Sequence, residues 1–226
     1  MLLPIGLTLL FNCSAMAQQG VPDTMAQRTL ACAACHGKEG RATSEGFFPR
    51  IAGKPAGYLY NQLLNFREGR RQSATMTYMV AHLSDPYLKE IAEYFSGVQL
   101  PYPPAQTVDV PAAQLERGRQ LVLSGDPSKQ VPACASCHGK NLTGVAPAIP
   151  GLLGLPRDYL NAQFGSWRTG TRKAAHPDCM AQIVARLSSE DLSAASGWLA
   201  SQTMSGDSKP AANLPGKLPI PCGGVP

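Results

Sequence analysis

Cys32-Ala33-Ala34-Cys35-His36 and Cys134-Ala135-Ser136-Cys137-His138 are the two stretches on which the reading of this chain turns. Two thiols at i and i+3 share one face of a helical turn, and the histidine that follows projects from the same face. This is the spacing of a c-type haem attachment site, in which both thiols form thioethers with the porphyrin vinyl groups and the imidazole ligates iron from the proximal side. A Cys-x-x-Cys pair on its own also suits a redox dithiol or half of a zinc site. The doubled pentapeptide favours two haems c over either alternative.

The repetition extends well beyond the motif. Gly53-Lys-Pro-Ala-Gly-Tyr58, Gln62, Phe66-Arg67, Gly69 and Arg71 recur as Gly154-Leu-Pro-Arg-Asp-Tyr159, Gln163, Trp167-Arg168, Gly170 and Arg172. Further on, Met76, Leu83, Ser84 and Tyr94 meet Met180, Leu187, Ser188 and Trp198. The 226 residues are therefore two copies of one unit of about 100 residues. Helical periodicity covers Thr24–Ala34 and Ala112–Ser124 before each motif, then Ala56–Glu68 and Arg157–Arg168. A last helix opens at Ser84 and at Ser188, where a hydroxyl cap precedes an acidic first turn. The second copy inserts a Gly/Asp/Pro/Ser loop from Gly125 to Pro132. No strand pattern of any length is present, so the expected class is all-α. The expected divisions are a signal peptide over 1–17, a first unit over 18–99, a Pro-rich linker over 100–111, a second unit over 112–204 and a Pro-rich tail over 205–226.

Composition agrees with this reading. Hydrophobic residues make up 44% of the chain, enough for a core, while 22 glycines and 20 prolines indicate many turns. A net charge of +5 without a dense Lys/Arg block argues against nucleic-acid binding. Met1 to Phe11 is an apolar run too short for the ~20 residues a bilayer span needs. Ala15 and Ala17 follow in a small-x-small pattern, so the start reads as an export signal cleaved before Gln18. It lacks the usual basic residue ahead of its apolar run. Cys13 raises a lipoprotein option, which the bulky Phe11 and Asn12 disfavour. A unit this small buries little core, and a covalently held porphyrin gives its helices a large apolar plate to pack on. Without haem the chain is expected to be largely unfolded.

The distal iron ligands must follow the middle helices. The first copy offers Met76, Met79 and His82, and the second His176, Cys179 and Met180. Met76 aligns with Met180, whereas Met79 aligns with Ile183 and His82 with Arg186. Met76 and Met180 are therefore read as the distal ligands opposite His36 and His138, with Met79 as core, His82 as a surface or supporting residue, and His176 as an alternative ligand. Thioether sulfur favours ferrous iron and raises the potential. Ligation from both sides leaves no open position for a substrate, so the chain reads as a carrier and not as an enzyme.

Both motifs, the Tyr-x-x-x-Gln and Arg-x-Gly-x-Arg stretches and the Met-x-x-x-x-x-x-Leu-Ser runs together resemble the two-haem cytochrome c4 family. The resemblance covers nearly the whole mature chain. It implies two tandem class I cytochrome c domains in the periplasm, related by a pseudo-twofold axis, with haem propionates facing across the interface. It also implies a carrier, free or peripherally associated with the membrane, taking electrons from a quinol-oxidising complex and delivering them to a terminal oxidase. The alternative is a subunit bound to a periplasmic dehydrogenase, with the Pro-rich tail as its docking arm. Propionates need donors, for which Arg50, Tyr58, Arg71, Tyr159 and Arg172 are the candidates.

Seven cysteines complete the inventory. Cys13 leaves with the signal and four are taken by haem. Cys179 and Cys222 remain as an even pair in an oxidising compartment, where a disulfide between them would pin the tail beside Met180. The alternatives are two unrelated thiols, or Cys179 as a ligand.

Overall fold

The computed structural model describes residues 20–44, 46–204, 206–214 and 216–225; the predicted signal peptide and Cys13 lie outside them. The chain is helical throughout. The first half holds α1 (Met25–Arg28), α2 (Leu30–His36), α3 (Ala56–Arg67), α4 (Ala74–Val80) and α5 (Asp85–Gly97). The second holds α6 (Ala112–Leu123), α7 (Cys134–His138), α8 (Arg157–Arg168), α9 (Cys179–Arg186) and α10 (Ser189–Ala200). The one departure from an all-helical reading among the described residues is a two-residue antiparallel pair, β1 (Gly144–Val145) with β2 (Ile149–Pro150).

Local chemistry sets the helix ends. The Ser84 hydroxyl accepts from the Tyr87 N–H, and Pro86 sits in the first turn, where its missing N–H costs nothing. Ser188 accepts from the Asp191 N–H while Asp191 accepts from the Ser188 N–H, a reciprocal capping box. The expected single helix over Thr24–Ala34 is broken at Thr29, whose hydroxyl donates to the Met25 carbonyl and opens the turn between α1 and α2.

Packing follows the same plan in both halves. In the first, α3 and α5 bury Leu59, Ile91, Ala92 and Phe95, and a second cluster joins Phe66, Val80 and Leu88. In the second, α6, α8 and α10 bury Val122, Tyr159, Leu160, Ala195 and Leu199. Gly118 makes the α6/α10 crossing, because a Cβ there would stand 2.1 Å from the Ala194 carbonyl oxygen. Residues 98–111 run without regular structure. Arg50 holds this segment through bonds to the Leu100 and Pro101 carbonyls at 2.6 and 2.9 Å. No helix among the described residues is long and apolar enough to cross a membrane.

Candidate functional site

Each Cys-x-x-Cys-His closes a short helix and drops its histidine into the core, where His36 and His138 are both buried. A glycine in the left-handed region follows each one, Gly37 and Gly139, and turns the chain away. The histidines are oriented in the same way. His36 Nδ1 lies 2.9 Å from the Pro49 carbonyl and His138 Nδ1 lies 2.8 Å from the Pro150 carbonyl. A carbonyl only accepts, so Nδ1 carries the proton and Nε2 is left as a lone pair. Burial holds both imidazoles below their ordinary pKa, against the opposing pull of those hydrogen bonds. A neutral imidazole with a fixed tautomer is the form that ligates a metal. These two carbonyl partners were not legible in the sequence, because a backbone oxygen carries no residue signature.

The thiols sit beside them, half-buried. Burial raises Cys32 and Cys137 and pushes Cys134 up to about 12. Such thiols are poor redox nucleophiles at neutral pH, which weakens the dithiol reading. Nor does any group of three or more His, Cys, Asp or Glu converge among the described residues, as a zinc site would require.

Met76 and Met180 lie on short helices that periodicity had not marked out. Met76 packs with Phe66, Val80 and Leu88, and Met180 packs beside Val184 and Leu187. In each half the methionine and a buried valine four residues on, Val80 or Val184, share the inward face. Met79 falls off that face and is 36% exposed, so its reading as core is corrected. Ile183, its counterpart, keeps a partly buried place in the second cluster. His82 and His176 are exposed.

Between the halves, the expected propionate donors form one cluster. Arg71 Nη2 bonds Gln163 at 2.8 Å and Tyr159 at 3.3 Å, while Arg172 Nη2 bonds Gln62 at 3.3 Å and Tyr58 at 3.5 Å. The arrangement is reciprocal, and an antiparallel bridge between Arg71 and Arg172 sits at its centre. Burial raises the Tyr159 phenol, but the two guanidiniums outweigh that and pull it down. Burial and the neighbouring Arg71 lower Arg172. Neither arginine has a carboxylate within ion-pair reach among the described residues. Beside Arg172, at 3.9 Å from its guanidinium, stands the Trp167 ring, whose buried N–H has no acceptor. Two uncompensated guanidiniums and an orphaned indole N–H are what a buried anionic group would satisfy. The residues present therefore fit a haem c in each half. Cys32, Cys35 and His36 would hold the first, and Cys134, Cys137 and His138 the second, with Met76 and Met180 on the far sides. Arg50 stands apart from this cluster, since its guanidinium is spent on the carbonyls of Ala52, Leu100 and Pro101 and on the Tyr102 face. Trp167 and the glutamines Gln62 and Gln163 belong to this cluster as well, and the recurrence of the glutamines in both copies is the sequence signal for them.

The tail folds back on the chain. Ala211 pairs alongside Val145, Cys222 is bonded to Cys179, and the Gly224 carbonyl accepts from Asn61 of α3 at 2.8 Å. A segment stitched down at three places does not serve as a free docking arm.

No protein-family model matches the chain. It is 34% identical over 176 residues to a thiosulfate dehydrogenase electron acceptor of Thiomonas intermedia, across 77% of this chain and 80% of that one. It is 31% identical over 204 residues to cytochrome c4 of Pseudomonas aeruginosa, across 88% and 94%. Reduced recombinant cytochrome c4 from Pseudomonas stutzeri superposes with a TM-score of 0.68 at 30% identity, covering 78% of this chain and 96% of that one. A thiosulfate dehydrogenase from Marichromatium purpuratum gives a TM-score of 0.68 at 29% identity; the match covers 76% of this chain but only 36% of that longer one.

Proposed function

We propose that this chain, which belongs to the cytochrome c4 family of two-haem electron-transfer cytochromes, accepts single electrons in the periplasm from a dehydrogenase of a small sulfur oxyanion and passes them toward a terminal oxidase. Two haems c supply a one-electron Fe(III)/Fe(II) couple. The protein contributes the rest. Cys32, Cys35, Cys134 and Cys137 would tether the two groups, His36 and His138 would bind through their free Nε2, and Met76 and Met180 would supply the thioethers. Held in this way, each haem would supply electron relay with no position left for a substrate. Arg71, Arg172 and Trp167 offer N–H donors to the haem carboxylates.

The observation that carries this reading is the reciprocal, part-buried Arg71/Arg172 cluster, which ties the two repeated units together. Two sites held in fixed relation suit a relay in which an electron enters at one unit and leaves from the other. The predicted export signal and the doubled Cys-x-x-Cys-His support the periplasm. The thiosulfate dehydrogenase electron acceptors, at 34% identity, support a dehydrogenase as donor. A quinol-oxidising complex is the second reading, supported by cytochrome c4 relatives that match 88% of the chain.

Stopped-flow reduction of the two-haem protein separates the two donors. Thiosulfate with a purified thiosulfate dehydrogenase should reduce both haems faster than quinol with a quinol-oxidising complex does. The reverse order would hand the role of donor to the quinol-oxidising complex. Reduction by neither would overturn the proposal.

A further inference from the structure

Lys54 of the first half is buried in the second. Only 3% of it is exposed, and its ammonium donates to the Gly151 carbonyl at 3.2 Å, across a sequence separation of 97 residues. Its other near neighbours are the Tyr102 ring, 5.8 Å away, and the Arg50 guanidinium, itself stacked on Tyr102 at 4.1 Å. No carboxylate lies within 4.0 Å of Lys54 among the described residues. A buried ammonium facing a carbonyl, a ring and a second cation is costly, and lysine is rarely buried without an ionic partner.

The position is asymmetric between the copies. Lys54 aligns with Leu155, which lies in the apolar core of the second half. An apolar side chain therefore suits this repeat position, and folding alone does not call for the charge. What the charge adjoins is the strand that positions the second proximal ligand. Gly151 directly follows Pro150, whose carbonyl holds His138 Nδ1, so the ammonium stands one residue along the chain from the carbonyl that orients the second proximal ligand.

We infer that Lys54 sets the reduction potential of the second haem, acting through space from the neighbouring unit to stabilise the electron there. The step is a one-electron transfer in which no bond forms or breaks. The donor loses one electron and the second site's net charge falls by one. A nearby cation in a poorly screened interior favours the less positive, reduced state. The first site has no lysine at this repeat position, whose counterpart is Leu155, and the cation near its histidine is Arg71, which is engaged by Gln62, Tyr159 and Gln163 in the shared cluster; the effect of Lys54 itself falls on the second haem.

The inference rests on His138 as a haem ligand, which the paramagnetically shifted ring-proton signals of that histidine check separately, while a pyridine haemochrome count confirms two haems per chain in every variant. The test is a spectroelectrochemical titration of the intact two-haem protein at pH 6. Burial, with Arg50 nearby, pulls the Lys54 ammonium down to about 7, so it is largely charged under these conditions. Paramagnetic NMR signals distinguish the two haems. In Lys54→Met the reduction equilibrium of the second haem should fall at least tenfold, about 59 mV for one electron, with the first moving by less than half as much. Lys54→Gln, which keeps a donor for Gly151 but no charge, should behave as Lys54→Met, and Lys54→Arg should stay near the parent. Equal shifts at both haems, no shift at either, or a Lys54→Gln variant with the parent potential would overturn the inference.

Discussion

The second unit is fastened by a Cys179–Cys222 disulfide, a reciprocal capping box at Ser188 and Asp191, and an ion-pair network in which Arg117 bonds Asp126 and Asp191 while Lys129 also bonds Asp191. The first unit has neither a disulfide nor a reciprocal capping box among the described residues. Its ion pairs, among them Asp23–Arg28–Glu90 and the chain Asp85–Arg67–Glu68–Arg70, involve exposed carboxylates worth little in water. Its long helices rest on Leu59, Phe66, Leu88 and Phe95, and its exposed surface includes Phe47, Tyr78 and Met79. The ligand frames nevertheless match, from the histidine held on a proline carbonyl to the methionine four residues before a buried valine. The ligand frame and the fastening of the unit around it are thus separable. The second unit carries its own crosslinks, while the first leans on its porphyrin and on its neighbour.

The largest effect expected is from loss of haem. Cys32→Ser with Cys35→Ser should cost the first unit most of its helical signal, whereas Cys134→Ser with Cys137→Ser should leave the second unit partly folded on its disulfide and caps. Far-UV circular dichroism of the two variants compares them directly. Equal losses would erase the distinction between the units.

The disulfide comes next. Its removal in Cys222→Ser opens a loop of 43 residues, for which the chain-entropy model gives between ~3 and ~4.7 kcal/mol. Thermal unfolding followed separately at each haem should show the second unit melting earlier and the first unchanged. A common shift would mean that the tail's bond to Asn61 couples the two units more tightly than the packing suggests.

Axial ligation gives a smaller change in stability but a clean spectroscopic one. Met76→Ala should abolish the weak red Met–Fe(III) band of the first haem and lower its reduction equilibrium at least tenfold, about 59 mV. The exposed Met79→Ala should do neither. If Met79→Ala shifted the first potential as far as Met76→Ala, the ligand assignment in that unit would be wrong.

The smallest effect is confined to acid. Burial raises the Asp191 carboxyl, but hydrogen bonds from Lys129 and Arg117 outweigh it and bring it down to about 2, below its ordinary 3.8. A depressed carboxylate contributes stability that is fully present above pH 4 and lost as pH falls through 2. Asp191→Asn should therefore weaken the second unit by about 1–3 kcal/mol at pH 7, with the difference from the parent closing toward pH 2. Acid unfolding curves of both proteins measure it, and a constant offset at every pH would assign the loss to packing.

Much of this frame was readable before any coordinates. α8 occupies the expected Arg157–Arg168, the last helices open at Ser84 and Ser188, and the motifs close short helices that bury a histidine. Where expectation and structure part, the cause lies beyond the local pattern. Thr29 breaks α1 from α2 because its own hydroxyl competes for the backbone. Met79 points outward because Met76 and Val80 take the inward face of a helix only two turns long. Arg50 serves the linker because Leu100 and Pro101 bring their carbonyls to it.

The haem-binding turns, the repeat, the all-α class and the helix caps are legible in the order of residues alone. These depend on geometry within four or five residues, where side-chain spacing and helical pitch leave few choices. Only the tertiary structure decided that the Pro49 and Pro150 carbonyls orient the histidines, that Arg71 and Arg172 exchange partners across the interface, and that Lys54 reaches Gly151. Each of these joins residues 12 to 114 positions apart. No periodicity encodes a distance of that kind, which is set by how two packed units bring their surfaces together.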